Sequence, residues 1–266
     1  MRLSYGNELP KRWVAFAGEP QAQEPMSIVG QGWWTAPGNP GVEGAVGASQ
    51  LPEALRLAPP TLVVTDADST LLNEEVIDCL ADVAGVGDQV AEITADAMAG
   101  NLDFSGSLAE RVALLEGLPA STFAKVGASV SLTPGSELFL GWTKSVGAKF
   151  GVVSGGFMEV LEPLTKRLGI DHVLANRLEV KNGLLTGRTV GPVVDAAAKA
   201  KAVRLWAGKN LERSVAVGDG ANDIPMLQAA GTGIAFCAKD AVKKVAPGYL
   251  DLRRLDAVAG LLGCKP

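Results

Sequence analysis

The chain has 266 residues, with 24 Lys and Arg against 29 Asp and Glu, for a formal net charge of −5. That length can bury a substantial core, and 47% hydrophobic with 20% charged residues excludes a mostly disordered chain. The acidic balance argues against a protein that grips nucleic acid through its backbone phosphates. A single histidine, His172, excludes polyhistidine zinc sites and phosphatases built on paired histidines. The three cysteines, Cys79, Cys237 and Cys264, lack CxxC spacing and read as reduced thiols. Met1–Gly6 lacks the apolar run of a signal peptide, and no apolar stretch is long enough to span a membrane. These features predict a soluble, cytoplasmic protein with neither a nucleic-acid nor a membrane partner.

Residues 1–60 hold 8 of the 15 prolines and also Trp13, Trp33 and Trp34, which a free linker rarely keeps. They read as a short, irregular or β-rich N-terminal appendage joined through Ala58-Pro59-Pro60, with packing or formation of a homodimer as its plainest role. From Thr61 the texture alternates between strand and helix. Leu62-Val63-Val64 is an apolar run of the kind found in buried parallel strands, and Asp66 follows it. Val76, Leu80, Val83 and Ala84 recur at helical spacing, and the stretch from Leu72 to Leu132 reads as mainly helical, with breaks at Gly100 and Pro119.

Strand signals return at Phe150–Val153, Ser214–Val217 and Gly233–Phe236, and Asn182-Gly183 marks a hairpin between Arg177–Val180 and Leu184–Thr186. The pattern predicts an α/β fold: a doubly wound, mostly parallel sheet with a helical insertion after its first strand. The expected units are residues 61–72 and 133–266 as core, 73–132 as a helical cap, and 1–60 as the appendage.

In such sheets ligands bind beyond the carboxyl ends of the strands. Three strand-ending loops carry unusual chemistry here: Asp66-Ala67-Asp68-Ser69-Thr70, Ser154-Gly155-Gly156 and Gly218-Asp219-Gly220-Ala221-Asn222-Asp223. Residues two apart in an extended segment project to one side, so Asp66 and Asp68 can approach one reaction centre. Carboxylates so placed repel and need a cation or a shared proton, and an all-oxygen set suits Mg²⁺ rather than zinc. A lone DxD is more often a turn bonding its own amides; the three loops together favour the metal reading. Ser154-Gly155-Gly156 offers a hydroxyl and close-approaching backbone N–H groups to an anion, although a tight turn with a serine cap has the same sequence. Lys199 and Lys201, in an alanine-rich helix, both read as solvated when taken alone. Neither a Walker loop nor a Gly-x-Ser-x-Gly elbow is present.

These residues resemble the haloacid dehalogenase superfamily and, within it, the phosphoserine phosphatase family, over about Thr61 to Asp251. Asp66-Ala67-Asp68-Ser69-Thr70, Ser154, Lys199 and Gly218–Asp223 match the four superfamily motifs in order; Glu75, Phe104, Arg111, Ser154-Gly155-Gly156-Phe157 and Ala175-Asn176-Arg177-Leu178 match the narrower family. The resemblance implies Mg²⁺-dependent hydrolysis of O-phospho-L-serine, the last step of serine biosynthesis. It implies Asp66 as nucleophile and Asp68 as acid and base. Mg²⁺ would lie on Asp66, the Asp68 carbonyl and Asp219, with Asp223 orienting from behind. Ser154, Gly155, Gly156, Lys199 and Asn222 would hold the phosphoryl side. Glu75 would meet the substrate ammonium, Arg111 its carboxylate, and Phe104 would exclude water; on spacing alone, Glu75 and Arg111 are an exposed pair on two helices. Transfer to another hydroxyl, such as homoserine, uses nearly the same residues, and no residue excludes it. A non-catalytic binding role ranks last, because Asp66, Asp68, Lys199 and Asp219 are all retained. Glu74, Asp78 and Asp82 read as a solvated helix face, and His172 as structural or exposed.

Overall fold

The computed structural model describes residues 9–20, 27–39, 41–98 and 101–265; Met1–Gly6 and the break read at Gly100 lie outside them. Among the described residues, eleven strands form one sheet: β1 (Arg12–Ala17), β2 (Ile28–Gly30), β3 (Trp33–Pro37), β4 (Ala45–Gln50), β5 (Leu62–Thr65), β6 (Lys149–Phe157), β7 (His172–Lys181), β8 (Leu184–Val190), β9 (Ser214–Gly218), β10 (Thr232–Phe236) and β11 (Gly248–Leu250). Their order is β2-β3-β1-β4-β11-β10-β9-β5-β6-β7-β8. The helices are α1 (Glu53–Leu57), α2 (Val76–Ala84), α3 (Gly87–Met98), α4 (Phe104–Ala113), α5 (Thr122–Ser129), α6 (Ser136–Ser145), α7 (Met158–Leu168), α8 (Ala196–Ala207), α9 (Ile224–Ala229), α10 (Asp240–Lys243) and α11 (Ala257–Leu261).

The centre of the sheet is parallel from β11 through β10, β9, β5 and β6 to β7. The sequence dictates this. Every residue of β5 is buried, with Val63 packing into one apolar cluster and Leu62 and Val64 into another. Alternate side chains point to opposite faces, so a strand covered by helices on both sides needs an unbroken apolar run. Each such side chain contributes about 1.5–3 kcal/mol by leaving water. The Asn182-Gly183 turn is present, both residues at positive φ (53° and 80°), and joins antiparallel β7 and β8.

After β5 the chain leaves the sheet for α2–α5 and returns through a bridge between Leu72 and Leu132. Helix α2 buries Val76, Ile77, Leu80 and Ala81 and ends at left-handed Gly85 (φ 72°). Helix α4 starts where Asp103 Oδ1 accepts from the Gly106 N–H at 2.7 Å.

Residues 1–60 read as an appendage, but their described part continues the core sheet. Strand β4 pairs antiparallel with β11, Ser49 opposite Gly248 and Gly47 opposite Leu250, and β1, β3 and β2 extend outward from it. Helix α11 packs beneath them. Trp33, fully buried, donates Nε1–H to Asp256 Oδ2 at 2.9 Å; the Thr35 and Ser49 hydroxyls donate to the carbonyls of Gly260 (3.1 Å) and Leu261 (2.6 Å). Contact is so close that a Cβ on Gly260 would lie 2.5 Å from Trp33 Cζ3. The prolines that suggested an appendage lie outside these strands except for Pro37 at the end of β3, and β4 covers the three-residue β11 that would otherwise be a bare edge.

Candidate active site

The carboxyl ends of β5, β6 and β9 meet at one place. The Asp66 and Asp219 loops leave from β5 and β9, whereas Ser154-Gly155-Gly156, expected as a strand-ending loop, lies within β6 where its register with β7 shifts. The Asp66 N–H donates to the Val217 carbonyl at 2.9 Å, so the residue is still held by the sheet. The chain then winds tightly through Ser69 in the left-handed region (φ 55°), with the Ala67 N–H donating to Asp66 Oδ1 at 2.7 Å. Asp66 is buried at 6% exposure. Its Oδ2 lies 2.9 Å from the ammonium of Lys199, which projects from α8 and is itself 0% exposed. The same ammonium donates to Asp223 Oδ1 at 2.7 Å, and Asp223 Oδ2 accepts from the Gly220 N–H at 3.0 Å. Both Asp223 oxygens are therefore taken by donors. Lys201, two residues along α8, is exposed.

Asp68 turns the other way, toward the cap and β6. Its Oδ1 accepts from the Val76 N–H at 3.0 Å and its Oδ2 from the Ser154 hydroxyl at 3.1 Å. The Ser154 oxygen in turn accepts from the Gly156 N–H at 2.7 Å. A Cβ on Gly156 would stand 2.5 Å from Asp68 Oδ2, and one on Gly155 would stand 2.9 Å from Phe104 Cζ and 4.0 Å from Asn222 Nδ2. Glycine is thus required where the loop meets the acid, and Phe104 and Asn222 close over Gly155.

Burial governs the electrostatics. It raises Asp66 well above the ordinary carboxylate value, Asp223 raises it further, and Lys199 opposes both. Burial and then the Glu75 charge lift Asp68 to about 7, against the bonds from Val76 and Ser154. Asp219 is lifted to about 6 by burial and by Asp223, against a 2.8 Å bond from the Thr70 hydroxyl to its Oδ1. Burial disfavours the Lys199 ammonium, yet Asp223 and Asp66 outweigh it and hold that group above its ordinary value. Carboxylate oxygens of Asp66, Asp219 and Asp223 lie within 4.8 Å of one another. Three carboxylates facing one ammonium leave two negative charges uncompensated, and a hard divalent cation fits that all-oxygen deficit.

The remaining expected residues lie on the cap. Glu75, at the start of α2, is exposed and accepts from the Ser69 hydroxyl at 2.7 Å. Arg111, half-buried on α4, donates Nε–H to the Ser107 carbonyl at 3.2 Å and makes no ion pair among the described residues. Burial lowers its guanidinium below the usual value, while Asp78, Glu75 and Asp68 pull it up. The expected residues therefore converge, with Arg111 in the field of the acids but unbridged. Glu74 departs from the solvated helix face read from sequence: it accepts from the Ser131 N–H (2.8 Å) and hydroxyl (2.7 Å), tying together the two connections of the cap. His172 stacks on Trp206 with centroids 5.2 Å apart. The supporting parts played by Ser69, Thr70 and Asn176 were not read from sequence, although all three sit inside motifs it displays.

A family model described as haloacid dehalogenase-like hydrolase matches residues 63–228. The chain is 52% identical to the phosphoserine phosphatase of Lactococcus lactis over 197 residues, 73% of this chain and 91% of the relative. A solved phospho-aspartyl intermediate analogue of phosphoserine phosphatase superposes with TM-score 0.71 at 43% identity, covering 75% of this chain and 97% of that one. A probable phosphoserine phosphatase from Vibrio cholerae superposes with TM-score 0.77 at 32% identity and covers 97% of this chain and 89% of its own, so the likeness there reaches into the N-terminal strands.

Proposed function

Because the chain belongs to the haloacid dehalogenase-like hydrolases, we propose that it hydrolyses O-phospho-L-serine to L-serine and phosphate through an aspartyl-phosphate on Asp66. One observation carries the reading: two carboxylates two residues apart are given opposite tasks. Asp66 is paired with the Lys199 ammonium at 2.9 Å, while Asp68 is turned the other way, accepting from the Val76 N–H at 3.0 Å and the Ser154 hydroxyl at 3.1 Å.

The Asp66 carboxylate attacks phosphorus in line, and the P–O bond to serine breaks. Protonated Asp68 gives its proton to the departing serine oxygen, then as carboxylate takes a proton from the water that attacks the same phosphorus. The second attack breaks the bond to Asp66 and releases phosphate. Ser154, the Gly155 amide, Lys199 and Asn222 hold the phosphoryl oxygens, and the Gly156 N–H supports them by donating to Ser154 Oγ. Asp66, the Asp68 carbonyl and Asp219 would hold Mg²⁺, with Asp223 fixing Lys199 behind them. Bound there, the cation neutralises the developing charge on the phosphoryl group. Glu75 receives the substrate ammonium and Arg111 its carboxylate, and Phe104 keeps water off the first step.

Arg111 supplies the test. Arg111→Ala is expected to raise KM for phosphoserine by about 10-fold or more, the worth of a charge-assisted bidentate pair. Phosphoethanolamine, which has no carboxylate, is expected to be hydrolysed equally by both proteins. An unchanged KM for phosphoserine contradicts the substrate assignment.

A further inference from the structure

Strands β6 and β7 keep parallel register from Gly151 opposite His172 to Val153 opposite Leu174, and pair again at Phe157 opposite Asn176. Four steps along β6 are matched by two along β7, which expels Ser154-Gly155-Gly156 from the ladder toward the site. A carbonyl in such a bulge has no strand partner. Asn176 supplies one, its Nδ2 donating to the Gly155 carbonyl at 2.8 Å. The other end of the same amide, Oδ1, accepts from the Val194 N–H at 2.8 Å. Asn176 is 2% exposed, so water does not compete for either bond.

Each bond leads to the phosphoryl site. The peptide whose oxygen Asn176 holds has the Gly156 N–H at its other end, donating to Ser154 Oγ at 2.7 Å, and the Ser154 hydroxyl donates onward to Asp68. Val194 directly precedes Asp195, whose Oδ1 accepts from the Ala198 N–H at 2.8 Å and starts the helix that carries Lys199. We propose that Asn176 is a positioning residue for phosphoryl transfer: one buried amide sets the distance between the glycine loop and the Lys199 helix, and fixes the plane of the peptide that orients Ser154. The inference rests on the reading above only in that loop and lysine together receive a phosphoryl group.

The test uses the full chain with Mg²⁺ and reads inhibition by inorganic phosphate, whose inhibition constant does not depend on the active fraction. Asn176→Ala, which adds no charge, is expected to weaken phosphate binding and lower kcat, each by about 10-fold or more. Trp33→Ala, which loosens the fold far from the loop, is expected to leave phosphate affinity unchanged. An Asn176→Ala protein that binds phosphate as the wild type does overturns the proposal. Should that variant not fold, hydrogen exchange in the wild type decides: phosphate is expected to slow exchange of the Val194 amide, and an unaltered rate overturns it. Phosphate binding can be measured by calorimetry in a protein that fails to turn over phosphoserine, so failure of the substrate assignment is told apart from failure of this one.

Discussion

Lys199 lies fully buried between Asp66 Oδ2 and Asp223 Oδ1. An ammonium is costly to bury alone, and so are two carboxylates; the trio is tolerable because each offsets the others' desolvation. Lys199→Met keeps the length of the side chain and leaves the acids facing each other. The unfolding free energy of the metal-free protein is expected to fall by about 3–5 kcal/mol in urea titration; an unchanged midpoint would mean that the ion pairs are not formed. Lys199 and Lys201 occupy the same alanine-rich helix, and composition alone does not separate them. Only the motif resemblance pointed to Lys199, because nothing local in Ala196–Ala200 reveals that two acids from other strands lie opposite. Asn176 was hidden for the same reason: its partners, Gly155 and Val194, are 21 and 18 residues away in sequence.

The central strands were legible because burial on both faces writes itself as an unbroken apolar run, as in Leu62–Thr65 and Ser214–Gly218. Short β11 and strands β1–β4 lack that signature, and β11 pairs with β4 from the far end of the chain. Trp33 holds this part of the molecule together. Trp33→Ala opens a cavity over Gly260 and strips Asp256 of a donor, and is expected to cost about 3–5 kcal/mol by chemical denaturation; a loss under about 1 kcal/mol would show that the N-terminal strands are loosely attached. At the start of β7, Asp171 accepts from Lys149 Nζ (2.6 Å) and the Phe150 N–H (2.9 Å). Burial raises its pKa, but the Lys149 bond, the Phe150 bond and the Lys149 charge outweigh it and hold the carboxyl below its ordinary value of 3.8. A depressed folded-state pKa stabilises above the unfolded value and loses that contribution as pH falls through the folded one. Asp171→Asn is therefore expected to melt lower than the wild type at neutral pH, with the gap closing in acid below pH 3.8; a gap independent of pH would assign the loss to packing.

At the scale of the molecule, a parallel sheet gathers acids from β5 and β9, a hydroxyl from β6 and a lysine from α8, and the inserted helices bring Phe104, Glu75 and Arg111 above them. From sequence, the strand-end loops share an address at one end of the sheet; the fold supplies the distances between them. The excess of two negative charges among Asp66, Asp219, Asp223 and Lys199 is one that a divalent ion bound there would offset, and the proposed chemistry requires it. Phosphate release from phosphoserine, phosphothreonine, phosphoethanolamine and phosphoglycolate, each with Mg²⁺ and with excess EDTA, tests this most directly. Phosphoserine is expected to be hydrolysed at least about 10-fold faster than the others, a margin within reach of one ammonium and one carboxylate contact, and chelation is expected to stop the reaction. Equal release from all four, or release undiminished by EDTA, contradicts the assignment.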